Sequence, residues 1–89
     1  MADIERLKTD IQGMAGRIKS VRFSEIERIV NQLERLGYSV VRRRTSDGWF
    51  FNIAGARFTV VIHNRGQSQL KSCYVKEFLV AMMELDLYE

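Results

Sequence analysis

The side chains best suited to chemistry lie close together in the middle of the chain. Arg42, Arg43 and Arg44 end one apolar run, an Asp-Gly pair follows, and three aromatic residues open the next run at 49–51. Guanidinium groups pair with phosphate oxygens, and aromatic rings stack on unpaired bases. The combination is typical of surfaces that hold single-stranded nucleic acid. We therefore expect the three arginines and Trp49 to contact RNA.

Positive charge is concentrated in the same part of the chain. Residues 37–71 hold six basic side chains and one acidic side chain, whereas residues 72–89 hold one basic and four acidic. A polyanion would be drawn to the basic segment, so Arg57, Arg65 and Lys71 join the predicted RNA-binding set. A solvated basic surface without a partner is the alternative interpretation.

His63 is the one side chain whose ordinary pKa suits a general acid or base near neutral pH. It follows an apolar run and precedes Asn64 and Arg65. An imidazole there could move protons while a ribose 2′-hydroxyl attacks the neighbouring phosphate, with an arginine stabilising the developing charge. His63 is therefore the candidate catalytic residue, and the alternative is a surface histidine or one hydrogen-bonded to the following loop.

Residue inventory argues against most other chemistry. One histidine and one cysteine do not make a zinc site, and neither GxxxxGK[ST] nor GxGxxG is present, so we expect no metal and no cofactor. The single Cys73 is typical of a reducing compartment. No apolar run approaches the ~18 residues of a membrane span, and the charged first ten residues do not resemble a secretory signal. We expect a cytoplasmic protein without a membrane partner.

Three helices are predicted from apolar spacing. The first covers residues 3–19 and has a narrow apolar stripe. This stripe either packs inside the chain or mediates a homodimer through residues 1–20. Ser24 and Glu27 form a capping-box pattern that begins the second helix, which Gly37 ends. The third runs from about residue 72 to 85. The predicted buried stripes are Ile4, Leu7, Ile11, Met14 and Ile18; Ile26, Ile29, Val30, Leu33 and Leu36; and Val75, Phe78, Leu79 and Met82, with Leu85 as an optional last member.

Three strands are predicted at 38–44, 49–53 and 57–63, with turns at 45–48 and 54–55. In the third, Phe58, Val60 and Ile62 face one way and Arg57, Thr59, Val61 and His63 the other. A two-residue turn at Asp47-Gly48 would pair Arg44 with Phe51 and Arg42 with Ile53.

That pairing leaves two arrangements of the hairpin. In one, Arg42, Arg44, Trp49 and Phe51 share the open face of the sheet. In the other, Trp49, Phe51 and Ile53 lie in the core, and Arg43 and Phe50 are exposed. The second is favoured because tryptophan and phenylalanine are more often buried.

The element order predicts an α+β fold of αβββα type, with a three-stranded antiparallel sheet packed on two helices. An extra N-terminal amphipathic helix at 1–20 precedes this domain, which covers 21–89. The stretch IQGMAGRIK at 11–19 is similar to the IGxxGxxIK region of KH domains, but a KH domain requires a strand before its first helix.

Residues 24–85 resemble the HicA toxin family, small bacterial ribonucleases with a double-stranded-RNA-binding-like αβββα fold. SEIERIVNQLERLGYSVVR is similar to the family's first helix and arginine-bearing first strand. RTSDGWFF stands where the family has a Gly-Ser-His turn before an aromatic-ending strand. FTVVIHN is similar to its third strand with a terminal histidine, and LKSCYVKEFLVAM to the start of its last helix.

The resemblance implies RNA as ligand and a HicB-like antitoxin as a protein partner. The family's catalytic histidine in the Gly-Ser-His turn is replaced by Asp47 or Gly48. The resemblance therefore implies an RNA-binding protein that is catalytically impaired or inactive. Two alternatives remain: an active mRNA interferase, an endoribonuclease toxin that uses His63, and a protein-interaction or dimerisation module that uses residues 1–20 and the acidic last helix.

Overall fold

The computed structural model describes residues 2–61 and 70–88, and these have the predicted α+β architecture. The three strands form one antiparallel sheet in the order β1-β2-β3, so β2 is central. The end of the predicted third strand, including His63, lies outside the described residues. The elements are α1 (Ala2–Ala15), a short 3-10 turn (Ile18–Ser20), α2 (Phe23–Arg35), β1 (Val40–Arg44), β2 (Gly48–Ile53), β3 (Ala56–Val61) and α3 (Ser72–Glu84).

Helices α2 and α3 pack against one face of the sheet, α1 packs against these two helices, and all of them share one core. Phe51 of β2 and Phe58 of β3 are 1% and 2% exposed. Their ring centroids lie 5.1 Å apart, and Phe58 meets Phe78 of α3 edge-on at 5.3 Å. Aromatic pairs of this kind add about 0.5–1.5 kcal/mol beyond the area they bury. The aromatic contacts thus join the sheet to α3.

The apolar stripe of α1 is buried within the chain. Leu7, Ile11 and Met14 belong to the same core cluster as the buried side chains of α2 and α3. The helix stops at Ala15, earlier than the predicted stripe, because Gly16 and Arg17 form a turn. Packing inside the chain is therefore the arrangement the structure adopts, and this part of the stripe is not free to pair with a second copy.

The start of α2 differs from the prediction. Arg22 is the N-cap residue, and the Glu25 carboxylate accepts the Arg22 amide with an N–Oε2 distance of 2.9 Å. The same carboxylate pairs with the Arg17 guanidinium, with Nη1 3.1 Å from Oε2. The predicted Ser24–Glu27 capping box is wrong because Glu25 already serves this helix end.

The end of α2 agrees with the prediction. Gly37 has a φ of 102°, which favours glycine, and the amide of Tyr38 donates to the carbonyl of Leu33 at 3.0 Å. The last residue of the predicted buried stripe is an exception. Leu36 is 38% exposed and faces solvent at the helix end instead of the core.

Candidate nucleic-acid interface

The hairpin between β1 and β2 turns one residue earlier than predicted. The amide of Thr45 donates to the carbonyl of Gly48 at 3.0 Å, so Ser46 and Asp47 form the turn. Arg44 consequently pairs with Trp49, and the predicted partner, Phe51, is two residues away. A shift of two residues preserves side-chain alternation, so the residues that share each face are as predicted although the register is wrong.

Gly48 has a role in the strand and not in the turn. It is buried at the start of β2, and a Cβ atom there would lie 1.9 Å from the carbonyl oxygen of Val60 on β3. Glycine is therefore required because the two backbones approach closely, which is one of its recognised uses inside strands. An Asp-Gly pair alone gives no sign of this constraint, since it also marks a turn.

The open face of the sheet, opposite the helices, places two arginines around one aromatic ring. Arg43 on β1 is directly opposite Phe50 on β2, and Phe50 is opposite Thr59 on β3. Arg57 on β3 is opposite Asn52, which puts it diagonal to Phe50 and within reach of the ring. The favoured arrangement of the hairpin, with Arg43 and Phe50 on this face, is confirmed.

The charge of the open face is positive. Arg43 and Arg57 are exposed, and neither forms an ion pair with any described residue. Phe50 is half-buried. The strand residues described on this face include no carboxylate; they are Val41, Arg43, Gly48, Phe50, Asn52, Arg57, Thr59 and Val61. This surface can offer guanidinium groups, an aromatic ring and amide or hydroxyl donors to a ligand.

Arg42 lies on the other side of the sheet and is held by α2. Its Nη2 atom donates to Oδ1 of Asn31 at 2.6 Å and to Oε1 of Glu34 at 3.3 Å. These bonds connect the edge strand to the helix that covers it. Arg42 was predicted to contact RNA, and the structure places its guanidinium in a contact inside the domain.

Arg44 and Trp49 also lie on the helix side, at the turn end of the hairpin. The Arg44 guanidinium carbon is 5.6 Å from the centroid of the Trp49 ring, and Trp49 stacks on Phe51 with centroids 6.4 Å apart. Trp49 is half-buried against the core. The arrangement with Arg42, Arg44, Trp49 and Phe51 on the open face is therefore wrong.

The remaining predicted residues are not on the described strands of the open face. Lys71 is exposed at the start of α3, after Leu70, whose amide donates to the carbonyl of Val21 at 2.9 Å. This contact places Lys71 beside the connection between α1 and α2. His63 and Arg65 lie outside the described residues.

Three side chains of the open face that can stack on or hydrogen-bond to a base were not in the predicted set of RNA contacts: Phe50, Asn52 and Thr59. Their alternation along the strands shows on which face each lies, but only the pairing of β2 with both neighbours shows that they surround one another. Strand pairing was thus the signal that could have found them.

In the part of the chain that the structure describes, no group of three or more His, Cys, Asp or Glu side chains could hold a metal ion. The helices described are too short or too polar to cross a bilayer.

No family model, curated protein or solved structure matches this chain. The resemblance to the HicA family therefore stays a prediction from the residues quoted above, and the interface rests on its own geometry.

Proposed function

We propose that the protein binds single-stranded RNA on the open face of its sheet, as a HicA-like protein of toxin–antitoxin type that is catalytically impaired or inactive. The placement of Arg43 and Arg57 on either side of Phe50 carries this proposal. An unpaired base stacks on the Phe50 ring, and the arginines contact phosphates before and after it. Stacking of one base on an aromatic side chain contributes about 1–3 kcal/mol.

The spacing of the two arginines suits a nucleic-acid strand. Arg43 and Arg57 are on β1 and β3, with β2 between them, and Arg57 is offset by two residues along the sheet. Their Cα atoms are therefore roughly 12 Å apart. Successive phosphates of one nucleic-acid strand could contact one guanidinium each.

Polar groups next to Phe50 can contact the edge of the stacked base. The Asn52 Oδ1 atom accepts the amide of Gly55 at 3.0 Å, which orients the side chain and leaves its NH₂ group to donate. Thr59 is half-buried on the next strand and carries a hydroxyl. Donors of this kind pair with base carbonyl and ring nitrogen acceptors.

Efficient cleavage is not part of the proposal. The turn that corresponds to the family's Gly-Ser-His holds Ser46 and Asp47, and it contains no imidazole. The described strand residues of the open face include no histidine or carboxylate. Activity as an mRNA interferase would depend on His63.

Binding can be tested with a fluorescent single-stranded oligoribonucleotide over a range of salt concentrations. Each phosphate contact contributes about 0.7 to the slope of log affinity against log salt for single strands. The Arg43→Gln/Arg57→Gln double variant should therefore lose about 1.4 from the slope. A Lys8→Gln/Lys76→Gln variant, which removes the same charge from α1 and α3, should retain the slope. If both variants lost the same amount of slope, RNA would be held by the overall charge of the protein and not by the open face.

Cleavage is tested separately with purified protein and long RNA. We expect intact RNA under conditions where binding is saturated. Cleavage that disappears in a His63→Ala variant would overturn the inactive assignment and support the mRNA interferase alternative, whereas binding on the open face would still be judged by the arginine variants.

A protein contact through α3 is the second candidate function. Val80 and Met83 are 55% and 50% exposed on the outer side of this helix, near Glu77 and Glu84. An apolar pair with acidic neighbours suits a protein partner with a basic rim, and the family resemblance makes a HicB-like antitoxin the partner to test. Val80→Lys/Met83→Lys should abolish complex formation with such a protein in size-exclusion chromatography, and an intact complex would exclude α3 as the contact.

A further inference from the structure

A second cationic surface lies between α1 and α2, on the helix side of the sheet. Arg28, Gln32 and Arg35 follow one side of α2 at helical spacing, and Arg6 approaches from α1. With Leu36 they line a cleft of about 280 Å³. We propose that this cleft is a binding site for a phosphate group.

The three arginines of the cleft are not neutralised within the described part of the chain. Arg17 and Arg42 have ion-pair partners, whereas Arg6, Arg28 and Arg35 form no ion pair with a described residue. Three neighbouring clefts on the helices each contain at least one carboxylate. The first contains Glu5 and Asp86, the second Asp10 and Glu25, and the third Glu27. The lining of the cationic cleft has none.

Glu27 is a carboxylate close to this cleft. It lines the adjacent depression of α2 together with Arg28 and Arg35, but it forms an ion pair with neither. Like charges gathered in one depression repel each other, so a bound anion would lower their electrostatic energy. Electrostatics therefore favours binding of an anion in this cleft.

Phosphate matches the donors of the cleft better than a carboxylate does. Each guanidinium presents a planar fork of N–H groups that pairs with two oxygens, and phosphate has more acceptor oxygens to share among three arginines. Gln32 adds an amide donor, and Leu36 supplies an apolar wall. The cleft is wide enough to admit a phosphate group.

The phosphate has two potential sources, a phosphodiester of an RNA strand or a free phosphate compound. The helices pack on the opposite side of the sheet from Arg43 and Arg57, so the cleft does not depend on RNA binding at the open face.

Phosphate binding is tested by NMR titration of the full chain with inorganic phosphate, with chloride keeping the ionic strength constant. We expect saturable shifts at residues 6, 28, 32 and 35. Arg28→Gln and Arg35→Gln should each weaken phosphate affinity about tenfold or more, since each removes charge-assisted hydrogen bonds. Lys76→Gln, which removes the same charge from α3, should leave the affinity unchanged. Unsaturable shifts spread over all arginines, or an unaltered affinity in Arg28→Gln, would overturn the proposal.

A parallel titration with an oligouridylate that has hydroxyl groups at both ends identifies the source. Shifts in the cleft with this oligomer support a phosphodiester, whereas shifts with inorganic phosphate alone support a free phosphate compound. A cleft that responds to neither is not a phosphate site. The Arg43→Gln/Arg57→Gln variant should keep its phosphate affinity, which separates failure of the cleft from failure of RNA binding.

Discussion

The two faces of the β1–β2 hairpin carry the same residue types in different roles. On the helix side, Arg42 is bound to Asn31 and Glu34, and Phe51 is 1% exposed. On the open side, Arg43 has no described ion-pair partner, and Phe50 is half-buried with arginines beside and diagonal to it. Arg43 differs from Arg42, and Phe50 from Phe51, mainly in the face of the sheet to which the side chain points.

This difference shows that a run of arginines in a strand is not one functional unit. Side chains alternate between faces, so Arg42 and Arg44 point toward the helices and the middle arginine points away. The outer two contact α2 and Trp49, and only Arg43 is presented to a ligand on the open face. Substituting all three arginines together would mix effects on folding with effects on binding.

The largest effect should come from Phe51→Ala. Removing a fully buried phenylalanine costs about 3–5 kcal/mol because it leaves a cavity among Phe58 and its neighbours. Trp49 is the one tryptophan of the chain and reports unfolding by its fluorescence in urea.

Phe50→Ala is the matched control on the opposite face. It should cost much less stability but remove the stacking contribution to RNA affinity, about 1–3 kcal/mol. If Phe50→Ala destabilises the protein as much as Phe51→Ala, the open face is part of the core and the contrast between the faces is wrong.

Gly48→Ala tests whether both faces depend on close packing of β2 against β3. A Cβ atom 1.9 Å from the Val60 carbonyl oxygen forces the strands apart, and we expect a loss of about 3 kcal/mol. Gly13→Ala is the control, because its Cβ meets nothing within 4 Å in α1. Alanine should stabilise that helix by about 0.5–1 kcal/mol. If urea unfolding gave the two variants equal stability, the close approach of β2 and β3 at Gly48 would be contradicted.

The fold was predictable from sequence to the extent that it depends on apolar periodicity. Leu7, Ile11, Val75 and Phe78 recur at helical spacing, and each is buried as expected. Leu36 continues the same spacing yet is exposed, because the helix ends there and the next turn carries the chain toward β1. Periodicity indicates which side of a helix is buried, but it does not show where the covering surface stops.

The site was less predictable because it depends on register. The pair Asp47-Gly48 fits a hairpin turn, but Gly48 is needed within β2, where it lies against Val60. A two-residue error in register left the faces unchanged, so Arg43 could be assigned to the open face without knowing its partner. The neighbours of Phe50 and the pairing of Arg42 with Glu34 depend on contacts between elements, which local patterns do not contain.

Arg42→Ala and Arg43→Ala compare the two faces with one residue type. Arg42→Ala removes a partly exposed ion pair and the hydrogen bond to Asn31, and should cost about 1 kcal/mol of stability. Arg43→Ala should leave the urea midpoint unchanged within about 0.5 kcal/mol and weaken RNA binding instead. The reverse pattern would mean that the assignment of the two faces is inverted.

The smallest effect should be the pH dependence of the ion pair between Arg17, in the turn after α1, and Glu25 of α2. The hydrogen bond from Arg17, aided by the Arg22 amide, holds the pKa of Glu25 below its ordinary value. Glu25 therefore stabilises the fold above its unfolded pKa of about 4.3, and this contribution is lost as pH falls through the lower folded pKa. Arg17 stays charged throughout this range.

The Arg17→Gln variant should therefore be less stable than the parent protein near neutral pH, and the difference should narrow as the pH falls below about 4. Urea midpoints measured between pH 7 and pH 3 would show this convergence, and Lys76→Gln should show none. A constant difference would mean that Arg17 acts through packing and not through the Glu25 charge. Convergence would make Arg17, like Arg42, an arginine used inside the domain, in contrast to Arg43 and Arg57 on the open face.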